Sequence, residues 1–339
     1  MWNSGFKWML LIMGTTIGAG YASGRELWQF FGDQSGVAIV LFTIIFSICC
    51  FVIMKVSYTE QSEHFIPVLQ KIIGKRLAHV YDILIVIYLF TTTIVMLAGG
   101  GATLETFQIP YWFGVVFICG LLVLLFVWGV KGMVTMNVVI LPVLILGLII
   151  TLLLFINSSD NHFTFDWKAQ SNWPAAFTFT ALNILPLVAV LSAVGREMKQ
   201  IGEAWVASIG SGLILGVISF IYNESLIQVA EEIMLYEIPL FAILKYYPYP
   251  MLVFMSFLLF AAIFTTAASG VFGITTRFRE LVKLPLWLWA IIALVIMIPF
   301  TTFGFATLVS VLYPIYGIAN LYLLTSILLY PIMNRYKLD

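Results

Sequence analysis

Apolar runs of about 20 residues follow one another along this chain, separated by short polar connections. The runs fall near 6–31, 35–56, 80–105, 111–130, 134–156, 173–196, 203–222, 251–277, 285–303 and 305–333. Each is long enough to cross about 30 Å of hydrocarbon as a helix, so the pattern predicts an all-α polytopic membrane protein with ten transmembrane helices. The spans form one transmembrane domain over residues 1–339. They divide into two sets of five, roughly 1–157 and 173–333, with a polar stretch around 157–172 between them.

A short repeat links the two sets. Gly24-Arg-Glu-Leu-Trp-Gln29 at the end of the first span matches Gly195-Arg-Glu-Met-Lys-Gln200 at the end of the sixth. Each copy closes an apolar run interrupted by helix breakers: Gly14, Gly18 and Gly20 in the first, Asn183 and Pro186 in the second. Five spans then five gives the halves opposite orientation, so the expectation is an inverted repeat with helices 1 and 6 broken. Discontinuous helices in corresponding positions of two halves are a pointer to a transporter's binding site.

Three connections carry their own pattern. The stretch 58–79 is basic and amphipathic and predicts an interfacial helix. The outer stretch 157–172 is polar, with Asn157-Ser-Ser-Asp-Asn161. The outer stretch 224–249 holds Glu224, Glu231, Glu232 and Glu237 beside an apolar stripe including Ile233, Leu240 and Leu244; it reads equally as a short helical lid or as an ordinary loop.

Composition agrees with the spans: 62% of residues are hydrophobic and 9% charged, with a mean hydropathy of +1.06. The net charge of zero gives no long-range field for nucleic acid. Its distribution is informative. Of 16 basic residues, only Arg25, Lys168 and Lys245 fall on one side, and the rest on the other. By the positive-inside rule this places both termini in the cytoplasm, with an even span count. The first run lacks a small-residue cleavage signature and reads as a retained helix. Cys49, Cys50 and Cys119 lie in apolar segments without metal-ligand spacing and read as reduced packing residues. His64, His79 and His162 sit in connections, and no nucleophile–base or metal constellation converges within the bilayer, so no enzyme or cofactor is expected.

The breaks carry the candidate chemistry. Three glycines in Gly14–Gly20 weaken the first helix by roughly 1 kcal/mol each relative to alanine. In lipid, freed backbone groups are tolerated where they line a cavity. Carbonyls there could coordinate a cation, and N–H groups of Gly18, Ala19 and Gly20 could hold a carboxylate. Alternatively, Gly14, Gly18 and Gly24 form a small-residue packing stripe. In the sixth span, Pro186 lies close to Asn183, Thr180 and Thr178, and carbonyls near Thr180 to Asn183 could accept an ammonium. In the eighth, Thr265 and Thr266 lie mid-span among small residues. They suit a hard cation, though threonines in membrane helices commonly bond their own backbone one turn earlier.

With these residues in view, the chain resembles a family. Gly14-Thr-Thr-Ile-Gly-Ala-Gly-Tyr21 aligns without gaps on the first-helix break of the neurotransmitter:sodium symporters, and Phe260-Ala-Ala-Ile-Phe-Thr-Thr266 on their eighth helix. The resemblance implies the leucine-transporter fold and one sodium site: the carbonyls of Gly14, Ile17 and Ala262 with the side chains of Thr265 and Thr266. Tyr21 stands where those symporters' second sodium site uses asparagine, so only one ion is expected. Proton-coupled relatives place a lysine mid-fifth-span; here Lys131 lies near that span's start, which favours sodium. Over the whole chain, Gly14–Glu26 with Leu97-Ala-Gly-Gly-Gly-Ala102 resembles the bacterial YkvI membrane proteins, within the amino acid–polyamine–organocation superfamily.

No Asp or Glu was placed deep in the first, third, sixth or eighth span, with Asp82 and Glu105 near span ends, so a zwitterion with a small or apolar side chain fits best. Candidate substrate contacts are Thr16, Gly18, Ala19, Gly20, Tyr21, Thr92, Thr180 and Asn183, the third span lining the wall through Thr92, Met96 and Gly99. Arg25 and Glu26 could pair as an outer gate, or simply cap the helix at headgroup level. The leading expectation is a sodium-coupled symporter of an amino acid. Proton coupling or exchange on the same fold is one alternative, and a ligand-sensing receptor on a transporter scaffold another.

Overall fold

The fold is that of a computed structural model, which describes residues 2–128, 131–158, 170–279 and 284–333. Asp160, Asn161, His162, Lys168, Lys283, Arg335 and Lys337 lie outside the described residues. Among the described residues every regular element is helical, and nine helices are long and apolar enough to cross a membrane. The first span adds the tenth crossing. It escapes a length criterion because it is in pieces: α1 (Trp2–Thr16), α2 (Ala19–Ala22) and α3 (Arg25–Phe30).

The remaining spans follow in order. Span 2 is α4 (Gly36–Thr59), then the short α5 (Phe65–Ile73) leads into span 3, α6 (Lys75–Glu105). Spans 4 and 5 are α7 (Tyr111–Trp128) and α8 (Lys131–Ser158). Span 6 is α9 (Ala175–Leu191) continued by a 3-10 helix, Ser192–Glu197, and span 7 is α10 (Ile201–Ile227). After α11 (Ala230–Ile233) and α12 (Leu240–Leu244) comes span 8, α13 (Tyr249–Arg279). Span 9 is α14 (Leu286–Met297) with a 3-10 turn, and span 10 is α15 (Phe305–Ala319) plus α16 (Leu321–Met333). Pro174, Pro239 and Pro285 stand immediately before α9, α12 and α14, where a missing N–H has no helical partner to lose.

The packing repeats five spans on. Span 1 packs on span 7 and span 6 on span 2; span 3 packs on span 4 and span 8 on span 9; span 5 packs on span 8 and span 10 on span 3. Spans 2 and 7, 3 and 8, and 4 and 9 pack on their own counterparts. This is the contact pattern a five-plus-five repeat demands. It gathers spans 1, 2, 6 and 7 into one four-helix body and spans 3, 4, 8 and 9 into another, with spans 5 and 10 alongside. Outward faces carry apolar side chains at helical spacing, as Val40, Ile44 and Ile48 do on α4. Those groups are suited to lipid.

The stretch 58–79 holds the nine-residue α5 between the ends of spans 2 and 3, and its apolar side (Val68, Leu69, Ile73) is buried against α6, α9 and α16. One expectation needs correcting. Span 6 is not interrupted at Asn183–Pro186. The α-helix runs through both residues to Leu191, and the change of geometry comes at Ser192, where it tightens to 3-10. Proline costs this helix one bond, the one Leu182 O would have accepted. Thr180 Oγ1 and Asn183 Nδ2 meanwhile donate back to Ala176 O and Phe179 O at 2.6 and 2.9 Å. A packed membrane helix accommodates such a loss.

Candidate functional site

The first span does break where its glycines are densest. Ile17 N–H still donates to Met13 O, but Gly18 N–H turns to Thr16 O at 2.9 Å instead of reaching Gly14 O four residues back. Gly18 is extended (φ −81°, ψ −177°), and the chain restarts as α2 with Ala22 N–H on Gly18 O. Two further residues on, Gly24 at φ +78° ends the half-helix and starts α3. A side chain at Gly24 would be strained there, and its Cβ would lie 2.7 Å from Tyr222 Oη. Tyr222 Oη–H donates to Ala22 O at 3.0 Å, so span 7 grips the turn directly.

Around the break, Gly18 has open space where a side chain would stand, and Gly14 is exposed with Leu141 of α8 beside it. Thr16 Oγ1 donates to Ile12 O. Ala19, Gly20 and Tyr21 are buried. Tyr21 Oη is committed to span 7, 3.1 Å from Leu215 O and 2.8 Å from Ser219 Oγ.

Span 8 lies against α2. On it Thr265 Oγ1 and Thr266 Oγ1 both donate to Ala262 O, at 3.1 and 2.8 Å. Three of the five expected sodium ligands are thus gathered into one oxygen cluster on the helix that faces the broken span, with Thr265 only 2% exposed. The same bonds satisfy the hydroxyls within their own helix. Across the site, Thr92 Oγ1 donates to Tyr88 O at 2.7 Å, and Gly99 lets α6 approach Phe305 of α15 and Ile263 of α13. Thr180 and Asn183 are buried on α9 with their donors turned to their own helix.

Arg25 and Glu26 do not face one another. Arg25 is half-buried, its Nε has no partner, and its charge is coupled to Glu237 of the 224–249 segment. Glu26 turns the other way, back over the break: a Cβ on Gly20 would fall 2.1 Å from Glu26 Oε1. The 23–24 turn redirects it. Sequence phasing as a straight helix gave no sign of this, although a glutamate two residues past a glycine in an apolar run was the available signal.

The 224–249 segment is a docked lid. Leu240 to Leu244 are fully or almost fully buried, Leu240 N–H donates to Ser23 O at 2.9 Å, and Glu237 Oε2 accepts from Ala306 N at 2.6 Å at the start of α15. Asn172 Nδ2 ties the chain before span 6 to Phe30 O and Phe31 O. At the opposite, basic end, Ser57 Oγ and Ser62 Oγ both donate to Ser192 O, at 3.0 and 2.6 Å, where span 6 changes geometry. Gly195 allows this: its Cβ would fall 2.1 Å from Ser57 O. Trp8 Nε1 donates to the buried Glu203 at 3.0 Å, and Lys7 pairs with Glu197, Arg196 with Glu63 and Arg277 with Asp82. These closures were not legible in the sequence. A groove of about 460 Å³ between α4, α10 and α16 lies away from the break, among Ile44, Ile48 and Leu213 on the outward surface.

The chain is 51% identical over 337 residues, 99% of its length and all of its relative's, to a Bacillus subtilis (strain 168) protein described as uncharacterized protein YyaD. The chain belongs to the YyaD family. A second B. subtilis relative, the uncharacterized membrane protein YkvI, is 24% identical over 329 residues and 93% of each chain, in line with the resemblance carried by Gly14–Glu26 and Leu97–Ala102. No family model matches the chain. Among solved structures, the YyaD-family chain superposes on MhsT in complex with L-phenylalanine at a TM-score of 0.66 and 17% identity, covering 95% of this chain and 88% of that one. It superposes on Mhp1, a nucleobase-cation-symport-1 family transporter in a closed conformation with bromovinylhydantoin bound, at 0.63 and 15%, covering 97% and 76%. The Eremococcus coleocola manganese transporter follows at 0.55 and 17%, covering 95% and 74%. At these identities the likeness is one of fold: this YyaD-family chain has the leucine-transporter fold.

Proposed function

We propose that this protein is a secondary active transporter that carries an amino acid or a similar small zwitterion together with one sodium ion by alternating access, across a bacterial cell membrane with both termini cytoplasmic. The observation that carries the proposal is the interrupted first span lying against a helix whose Ala262 carbonyl, Thr265 and Thr266 form one oxygen cluster. Sodium takes oxygen ligands, and the freed carbonyls at the end of α1, Gly14 and Ile17, would complete the set. Open space at Gly18 and the α6 wall at Thr92 leave room beside the break for a small solute.

The two four-helix bodies supply the motion. Ties at the basic end (Ser57 and Ser62 to Ser192, Trp8 to Glu203) hold spans 1, 2, 6 and 7 to one another, and Arg277–Asp82 holds span 8 to span 3. Each body can move as a unit while the broken span changes its angle to span 8 between them. The lid at 224–249 and Arg25 opposite Glu237 would then act at one end of the path, with Glu26 inside it.

The experiment is uptake into proteoliposomes across the proteinogenic L-amino acids, driven in turn by an inward sodium gradient and by a proton gradient. Accumulation with sodium alone supports the proposal. Accumulation with protons alone moves it to proton coupling, and no accumulation by either gradient overturns it.

A further inference from the structure

Glu26 is the one carboxylate that the fold turns into the interior beside the break. It is 7% exposed, and among the described residues its side chain makes no hydrogen bond and no ion pair. The cation next to it in sequence, Arg25, makes no ion pair with it, and the acidic group it senses is Glu237. Its oxygen lies so close over Gly20 that any side chain there would have to displace it. Three tyrosines from three spans fall within the electrostatic reach of that carboxylate: Tyr21 of α2, Tyr88 of α6 and Tyr313 of α15. Tyr21 has its hydroxyl committed to span 7, whereas Tyr88 stacks edge-on with Tyr316, 5.1 Å between centroids, and Thr92 lies one turn along the same face of α6.

A carboxylate removed from water without a partner is costly, and within a membrane protein such a group marks a functional site. Aromatic faces around a carboxylate are the chemistry that recognises an ammonium group: the carboxylate supplies the charge and the rings replace its hydration. Of the carbonyls expected to receive an ammonium, those near Thr180 to Asn183, the continuous helix leaves only that of Leu182 without its helical donor.

Resting on the transporter reading, we propose that Glu26 is the fixed counter-charge for the ammonium group of the substrate, held beside Gly20 at the break. The substrate class is therefore set by its amine. A substrate carboxylate, brought close to Glu26, is dispensable or unfavourable, so the amine left by removing an amino acid's carboxyl group should bind at least as well as the amino acid.

The test uses the purified full-length protein and thermal stabilisation by matched triplets: each L-amino acid, the amine lacking its carboxyl group, and the acid lacking its amino group. The expected result is stabilisation by amino acids or amines of at least one triplet and by no deaminated acid. Glu26→Gln should raise the concentration needed by about thirtyfold or more, the lower end of what removing one partner of a buried charge pair does. Gly20→Ala, which displaces the carboxylate while leaving it present, should weaken the same ligands, and Glu26→Asp should retain part of the effect. Stabilisation by sodium, read in the same samples, should survive in Glu26→Gln and so reports that the variant is folded. The inference is overturned if no amine or amino acid stabilises the wild type, if deaminated acids do so equally, or if Glu26→Gln leaves the response within about threefold. Loss of the sodium response in the wild type would instead count against the transporter reading.

Discussion

Removing both hydroxyls that hold Ser192 should open the basic end of the path. Ser57 Oγ and Ser62 Oγ lie 3.0 and 2.6 Å from the Ser192 carbonyl and 2.8 Å from each other, so their two protons are shared between that carbonyl and the neighbouring hydroxyl; all three residues are buried. Either hydroxyl alone keeps that carbonyl satisfied. Single alanine variants should therefore cost well under about 1 kcal/mol of the closed arrangement. The double variant Ser57→Ala/Ser62→Ala leaves that carbonyl only its 3-10 bond, a net loss of about 0.5–1.5 kcal/mol for the side-chain bond. With about 1.4 kcal/mol per factor of ten, the open population rises about 2- to 12-fold. By contrast, Lys7 and Glu197 are 64% and 61% exposed, so breaking their pair should change that population little. The assay is the labelling rate of Thr16→Cys by a membrane-impermeant thiol reagent, in a background with Cys49, Cys50 and Cys119 replaced. While the open state is rare, that rate follows its population. The reasoning fails if the double variant labels no faster than the two singles combined, or if Lys7→Ala has the larger effect.

Other positions give independent tests. Gly24→Ala forces a side chain into a left-handed turn against Tyr222, and the melting temperature should fall; Tyr222→Phe in the same chain relieves the contact with the hydroxyl but leaves the backbone strain, so recovery should be partial. Pro186→Ala restores a donor for the Leu182 carbonyl in a helix already continuous, so stability should rise; a simultaneous fall in uptake would show that the bare carbonyl is used. In the lid, Lys245 and then Tyr246 hold the Glu232 carboxyl below its usual range. A depressed carboxylate contributes above its unfolded value, and the contribution disappears as pH falls through the lowered one. Protection of α11 amides relative to their intrinsic exchange rate should accordingly fall under acid conditions in the wild type and be less pH-sensitive in Lys245→Ala.

Much of the architecture was legible because lipid leaves few options. Backbone groups in hydrocarbon must bond within a helix, so run length alone gave the spans, and glycines 14 to 20 bracketed the first break, which falls at Ile17–Gly18. The second break was misplaced for a physical reason. Proline removes one bond, and the packed helix around Pro186 retains its geometry, whereas the switch to 3-10 at Ser192 depends on hydroxyls of span 2 about 130 residues earlier in the chain. Glu26 was legible as a gate candidate beside Arg25 but not as a group turned back over the break, because its direction is set by Gly24, whose left-handed turn is gripped by Tyr222 nearly 200 residues away. Thr265 and Thr266 could be found by their spacing, but their convergence on one carbonyl could not.

The most direct measurement is binding of radioactive sodium to the purified protein and to Thr265→Ala/Thr266→Ala. Saturable binding of one ion per chain, lost in the double variant while its helical content is retained, is the predicted result. No saturable binding to the wild type, or equal binding to both proteins, would contradict an ion held between the broken first span and span 8.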